Sequence, residues 1–234
     1  MSMLGNFRQV SPSLLARIKA KPALVKQVVR YRPDGPPPDS DAEAFLSLLP
    51  SHMRKAVDGM PPEARADFLA HVGESVAEMP DMLKDQIAAR RHPKPVKRAA
   101  RAAIDPAEMG PDLDMEKAWH GVHFLLSGSA TEAPSPFGTA VLGGTEIGPD
   151  LGYGPARYLE APEVKTVADA LAELAVEAIA ARFDPGALDQ AKVYPGGWVA
   201  DPERKEWLCD AFLQLRAFYV AAAGGQYAML LYIV

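Results

Sequence analysis

The chain has 234 residues, 48% of them hydrophobic, a formal net charge of −5 and a single cysteine, Cys209. That is enough apolar material to fold without metal or disulfide staples, and one cysteine excludes an intramolecular bridge, as expected of a protein of the reducing cytoplasm. The modest negative charge excludes a surface given over to nucleic acid, and no run approaches the roughly 18 apolar residues of a bilayer span.

Residues 1–10 lack the charged, apolar, small-residue order of a secretory leader, and Met3 to Val10 alternates enough to form a strand. Ser11-Pro12 then supplies a helix N-cap with proline at the first helical position. The proline-rich segment 32–39 interrupts the chain, and 32–111 differs from the rest in character: short amphipathic stretches, such as Pro62 to Glu78 with Phe68, Leu69, Val72 and Val76 at helical spacing, lie between prolines. It reads as a helical, proline-rich insertion. Asp112 or Asp114 is expected to cap a helix carrying Met115, Ala118, Trp119, Val122, Leu125 and Leu126 on one stripe and ending at Gly128.

Phe137 to Leu142 and Arg157 to Leu159 are short strand candidates. Pro162 opens a helix with Val164, Val167, Ala168, Leu171, Leu174, Ala175 and Ala178 inward, and Asp201-Pro202 opens another through Leu208, Phe212, Leu215, Phe218 and Tyr219. Gly224-Gly225 turns the chain into a closing apolar strand over 228–234. The order predicts an α/β domain with a mixed sheet covered by helices, its first and last strands as neighbours.

Chemistry-bearing residues fall in four places. On the helix after Asp114, Glu116, His120 and His123 stand at i, i+4 and i+7 beside Trp119; one ridge with two histidines could hold a base, but its spacing does not match a two-histidine zinc helix, and no metal or cofactor is expected. The glycine-rich stretch from Gly143 and Gly144 runs through Glu146 to Tyr153 and Arg157, where backbone could approach a ligand and Arg157 could clamp an anion. It is neither a Walker loop nor a dinucleotide fingerprint, and an ordered turn with Arg157 paired to a neighbouring acid is the favoured explanation. Tyr194-Pro195-Gly196-Gly197-Trp198 places two aromatics about a tight turn. The run from Arg90 to Arg101 carries six basic residues and no acid; it is the sole hint of nucleic acid, and without interleaved aromatics it reads better as a solvated linker or a contact for an acidic protein.

Several of these segments resemble the YfbM-like family, bacterial proteins grouped as a domain of unknown function. The resemblance rests on Met3-Leu4-Gly5, on Leu113 to His123, on Ala140-Val141-Leu142-Gly143-Gly144, on Tyr194-Pro195-Gly196 and on the closing strand. It covers about 1–31 and 112–234 and implies a three-layer α/β/α arrangement within a single domain spanning 1–234, with 32–111 inserted. It brings no catalytic residues.

Two functions are therefore weighed. The first is a non-catalytic cytoplasmic protein-binding module, of the immunity or antitoxin kind, with a protein partner and no membrane. The alternative is a small-ligand or hydrolytic site with His123 as base, Glu146 as a second polar group, Arg157 as the anion clamp, and Trp119, His120, Gly143, Gly144, Tyr153, Tyr194 and Trp198 around it.

Overall fold

The computed structural model describes residues 2–31, 41–46, 56–76, 79, 80, 83, 84, 87 and 104–234. The proline-rich loop 32–39 and the basic run Arg90 to Arg101 lie outside them. The chain divides into two units, one formed by residues 1–31 with 104–234, the other by residues 32–103.

In the first unit, strand β1 (Gly5–Val10) is followed by helix α1 (Pro12–Ala20), a 3-10 turn (Pro22–Leu24) and helix α2 (Val25–Arg30). Ser11 caps α1 as expected, its hydroxyl accepting from the Leu14 N–H at 3.0 Å. After the second unit come β2 (Met109–Asp114), β3 (Thr145–Asp150), β4 (Pro155–Leu159) and β5 (Ala228–Ile233), which join β1 in one sheet of order β2-β1-β5-β4-β3. The fold class is α/β, the sheet lying between helices, and every pairing within it is antiparallel. No βαβ crossover joins neighbouring strands, so nothing forces a parallel pair.

The register sorts the side chains. Phe7 pairs with Leu231 and Leu231 with Arg157, so these share one face with Met229 and Leu159. Arg8, Leu230 and Tyr158 share the other, where α1 lies: the Lys19 ammonium sits 5.0 Å from the centre of the Tyr158 ring, and Leu14, Leu15 and Ile18 are buried. Arg8 is itself buried, donating to the Tyr31 carbonyl at 3.0 Å and standing 3.4 Å from the Asp112 carboxylate.

The first face carries the main core. Helix α5 (Ala118–Ser127) and, after the short α6 (Thr139–Leu142), helices α7 (Ala161–Ala172), α8 (Val176–Ala181), α9 (Pro185–Gln190) and the 23-residue α10 (Pro202–Gly224) cover it. Val122, Leu125, Val164, Leu171, Leu208, Phe212 and Leu215 meet Phe7, Met229 and Leu231 there. The buried Tyr219 hydroxyl of α10 donates to the Ala140 carbonyl of α6 at 3.0 Å, and burial holds that phenol far above its ordinary pKa. Among the described residues no helix is long and apolar enough to cross a membrane.

In the second unit, helices α3 (Asp41–Leu46) and α4 (Pro62–Val76) contribute Ala42, Val72 and Val76 to a small cluster with Ile87. The inward positions expected of Pro62 to Glu78 are those observed, with Phe68 and Leu69 packed at the margin.

Three elements differ from expectation. Asp112 and Asp114 lie on β2, paired with Arg8 and Asn6, and α5 begins only at Ala118; the Asp114 carboxylate accepts from the Glu116 N–H at 2.8 Å in a turn where Glu116 has φ 49°. Glu116 is therefore off the ridge of His120 and His123. Phe137 to Leu142 is no strand but a turn entering α6, because a short apolar run does not distinguish a buried strand from a helical turn. The strand follows it, in 145–150, where glycine and proline are tolerated because β3 is at the sheet edge with an irregular register between Ile147 and Asp150. The helix expected from Pro162 through Ala178 is two, α7 and α8.

Removing the Tyr219 hydroxyl tests the tie between α10 and α6. Tyr219→Phe leaves the buried Ala140 carbonyl without its donor and should cost about 1–3 kcal/mol in urea denaturation; an unchanged midpoint contradicts the tie.

Candidate functional site

Helix α5 carries Trp119, His120 and His123 because its apolar stripe faces the sheet while its flank meets the loop that follows. It ends at Gly128 in the left-handed region, and Arg182 donates to the Leu125 and Leu126 carbonyls at 3.0 and 3.3 Å. The chain then folds back so that residues 129–132 lie along the helix, and both histidines hold that segment. His120 Nε2 is 2.8 Å from the Ala130 carbonyl, and His123 Nε2 is 2.7 Å from the Thr131 carbonyl.

The partners assign the tautomers. A carbonyl only accepts, so each Nε2 carries the proton and donates. His120 Nδ1 accepts the Tyr194 N–H at 2.9 Å, which spends both nitrogens of the neutral ring. His123 is fully buried, and its Nδ1 has no hydrogen-bond partner among the described residues. Burial lowers the pKa of both rings from the ordinary 6.5, opposed by the carbonyl bonds, and at His123 the neighbouring His120 lowers it further.

Trp119 and Tyr194 complete a clamp on the first residues. The Trp119 indole donates to the Met3 carbonyl at 3.2 Å, and the Tyr194 hydroxyl accepts the Met3 N–H at 3.2 Å. Trp119 stacks on His120 with centroids 4.6 Å apart and planes 5° from parallel, and on Tyr194 at 6.3 Å. The approach of β1 to α5 needs glycine at Gly5, where a Cβ would lie 2.4 Å from that of Trp119. Trp198 belongs elsewhere: its indole donates to the Val193 carbonyl at 2.8 Å in the core, between Phe183 and Trp207.

The glycine-rich segment forms a second place. Gly144 has φ +92° and leads from α6 into β3, and a Cβ there would meet the Tyr158 carbonyl at 2.5 Å, so the turn is built for backbone against backbone. Glu146 and Arg157 are directly opposed on β3 and β4, on the face that bears α5. The guanidinium of Arg157 donates through Nη1 to the Leu142 carbonyl at 2.9 Å and through Nη2 to Glu146 Oε1 at 2.9 Å, and also meets Glu132 Oε1 at 2.5 Å. It is held by a neighbouring acid, as one reading of the sequence expects, and by a second acid that the sequence did not indicate.

Beside this trio opens a cleft of about 290 Å³, lined by Ala130, Thr131, Glu132, Val141, Leu142, Glu146, Tyr153, Gly154, Pro155, Arg157 and the end of β5 from Leu231 to Ile233. Thus Glu146, Tyr153 and Arg157 converge on one cleft. His120 and His123 stand behind its wall, tied to the 130–131 backbone, while Trp119 and Tyr194 face Met3 and Trp198 lies in the core. Gly143 and Gly144 shape the entry to β3. Glu132 and the β5 floor escaped sequence reasoning, since a glutamate in an irregular loop and an apolar strand end carry no local signal. Among the described residues no group of three His, Cys, Asp or Glu side chains is placed to hold a metal ion.

Both histidines are neutral in the native state and titrate near 6.5 when unfolded, so the unfolded chain takes up protons first. Stability should be present above pH 6.5 and lost as pH falls through that value toward the lower native values. Thermal midpoints between pH 7.5 and 5 should fall in the wild type and fall less in His120→Gln/His123→Gln; equal slopes refute the neutral assignment.

A family model described as "Domain of unknown function (DUF1877)" matches residues 1–232. Among solved structures, the chain is similar to YfbM from Escherichia coli, itself described as a protein of unknown function, at 15% identity and a TM-score of 0.52 over 99% of both chains. That likeness speaks to the fold. None of the curated proteins compared matches the sequence. The chain belongs to the DUF1877 family.

Proposed function

We propose that this DUF1877 protein is a non-catalytic, cytoplasmic protein-binding module, of the kind that neutralises a toxin or the product of a neighbouring gene, and that the cleft beside Arg157 is its contact surface. The observation that supports this is that the groups a reaction would need are engaged in holding the structure. His120 spends both nitrogens on backbone, His123 is buried with its Nε2–H donating to the Thr131 carbonyl, and Arg157 is shared between Glu132, Glu146 and the Leu142 carbonyl. A base must reach its substrate's proton, and an anion clamp must have donors to offer. Both histidine rings are turned to backbone carbonyls, and Arg157 already directs three contacts to the Leu142 carbonyl and two carboxylates, while a preformed cleft with an apolar floor suits recognition.

The alternative, a small-ligand or hydrolytic site, draws support from the same face: Glu146, Tyr153 and Arg157 line one cleft, and His123 holds its wall. One experiment separates the two. Thr131 is exposed on the rim, and Thr131→Trp should fill the cleft without changing its charge. Native mass spectrometry of protein purified gently from its own cells should find a stoichiometric protein partner on the wild type and none on Thr131→Trp. A small molecule in place of the protein overturns the proposal in favour of the alternative, and a partner retained by the variant removes the cleft as its contact.

A further inference from the structure

Resting on the proposal that the cleft binds a protein, we infer that what enters it is a long basic side chain of the partner, a lysine or an arginine. Three features of the cleft carry this. Its floor is apolar, made by Val141 and Leu142 of α6 and Leu231 of β5. On its rim stand Glu132 and Glu146, with side chains 67% and 59% exposed, and Tyr153, which also lines it, is exposed. Apolar below, anionic above and aromatic beside is the complement of a side chain with an alkyl stem and a cationic head.

Charge gives the same answer. Arg157 is the cation already present, and two carboxylates against one guanidinium leave a net negative charge at the rim. Both acids meet Arg157 through Oε1, and among the described residues the Oε2 atom of each has no hydrogen-bond partner, which leaves it to accept from a second cation. Arg157 is only 25% exposed and directs contacts to the Leu142 carbonyl and the two glutamates, so the more exposed carboxylates are what the rim chiefly presents to an incoming group.

Size agrees. About 290 Å³ is at the foot of the roughly 300–1,000 Å³ range of small-molecule sites. It accommodates one extended side chain, the anchor on which a protein contact is commonly centred. The Glu146–Arg157 pair is cross-strand and the Leu142 carbonyl lies at the end of α6, so the rim is set by the sheet before any partner arrives, which lowers the ordering cost of binding.

The test uses the full chain, isotopically labelled, with capped glycine peptides carrying one central lysine, arginine, norleucine or glutamate. Amide shifts of 131–132, 142, 146 and 153–157 should move saturably with the lysine or arginine peptide and several-fold more weakly with norleucine, and the difference should shrink at high salt. In Glu132→Gln/Glu146→Gln that preference should vanish while the spectrum stays dispersed and the thermal midpoint holds. Equal response to norleucine, a preference for glutamate, or no localised shift overturns the inference. A cellular partner lost on Thr131→Trp but retained by the double glutamine variant overturns it as well, and leaves the protein-binding proposal standing.

Discussion

Strand β5 is covered on both faces and hydrogen-bonded along both edges, so its backbone groups can be satisfied only by β1 and β4 together. Residues Ala228 to Leu231 are nearly inaccessible to solvent, and their alternation sends Met229 and Leu231 toward α5, α7 and α10 and Leu230 toward α1. A one-residue slip would exchange these two faces. The register that prevents it also places Leu231 opposite Arg157 and Phe7. The cleft floor and its charged rim are thus consequences of the same pairing that holds the two halves of the sheet together.

The histidines show how a catalytic-looking pattern can be structural. His120 and His123 are one helical turn apart, and the loop after Gly128 returns within hydrogen-bond reach of both. Each donates to a carbonyl of the half-buried to exposed 130–131 segment and so ties that segment to the helix, a bond worth on the order of 1 kcal/mol. His120 adds the Tyr194 N–H, so one imidazole joins α5, the loop and the 194–198 turn. The imidazole holds its donor and acceptor on different edges of one rigid ring, so it meets both partners in a fixed geometry and stacks on Trp119 as well. The residues that cluster are therefore neutral, and the charge is concentrated a short way off in Glu132, Glu146 and Arg157.

Much of the element order could be read in the chain because local signals agreed with the burial each element needs. Ser11-Pro12, Asp201-Pro202 and Gly224-Gly225 mark helix ends by capping and by fixed φ, and the apolar run after Tyr227, set off by the glycine pair and ending in β-branched residues, reads as a core strand. The misread places are those where tertiary pairing overrode local preference. Gly148-Pro149 reads as loop yet belongs to a strand because an edge needs fewer donors, and Asp112 and Asp114 read as caps yet pair with β1.

The site was less legible than the fold. Glu146, Tyr153 and Arg157 stood out as polar residues around glycines, and they do meet; Glu132 did not stand out, because its partner is 25 positions away and nothing in its own loop marks it. By itself the sequence determined the first and last strands, the main helices and their inward faces, and the presence of reactive side chains on α5 and about the glycine turns. Only the tertiary structure decided that the histidines face carbonyls, that Arg157 is held by two carboxylates, and that the end of β5 floors a cleft. Propensity and periodicity act over a few residues, whereas hydrogen-bond partners and net local charge depend on which distant strands the packing brings side by side.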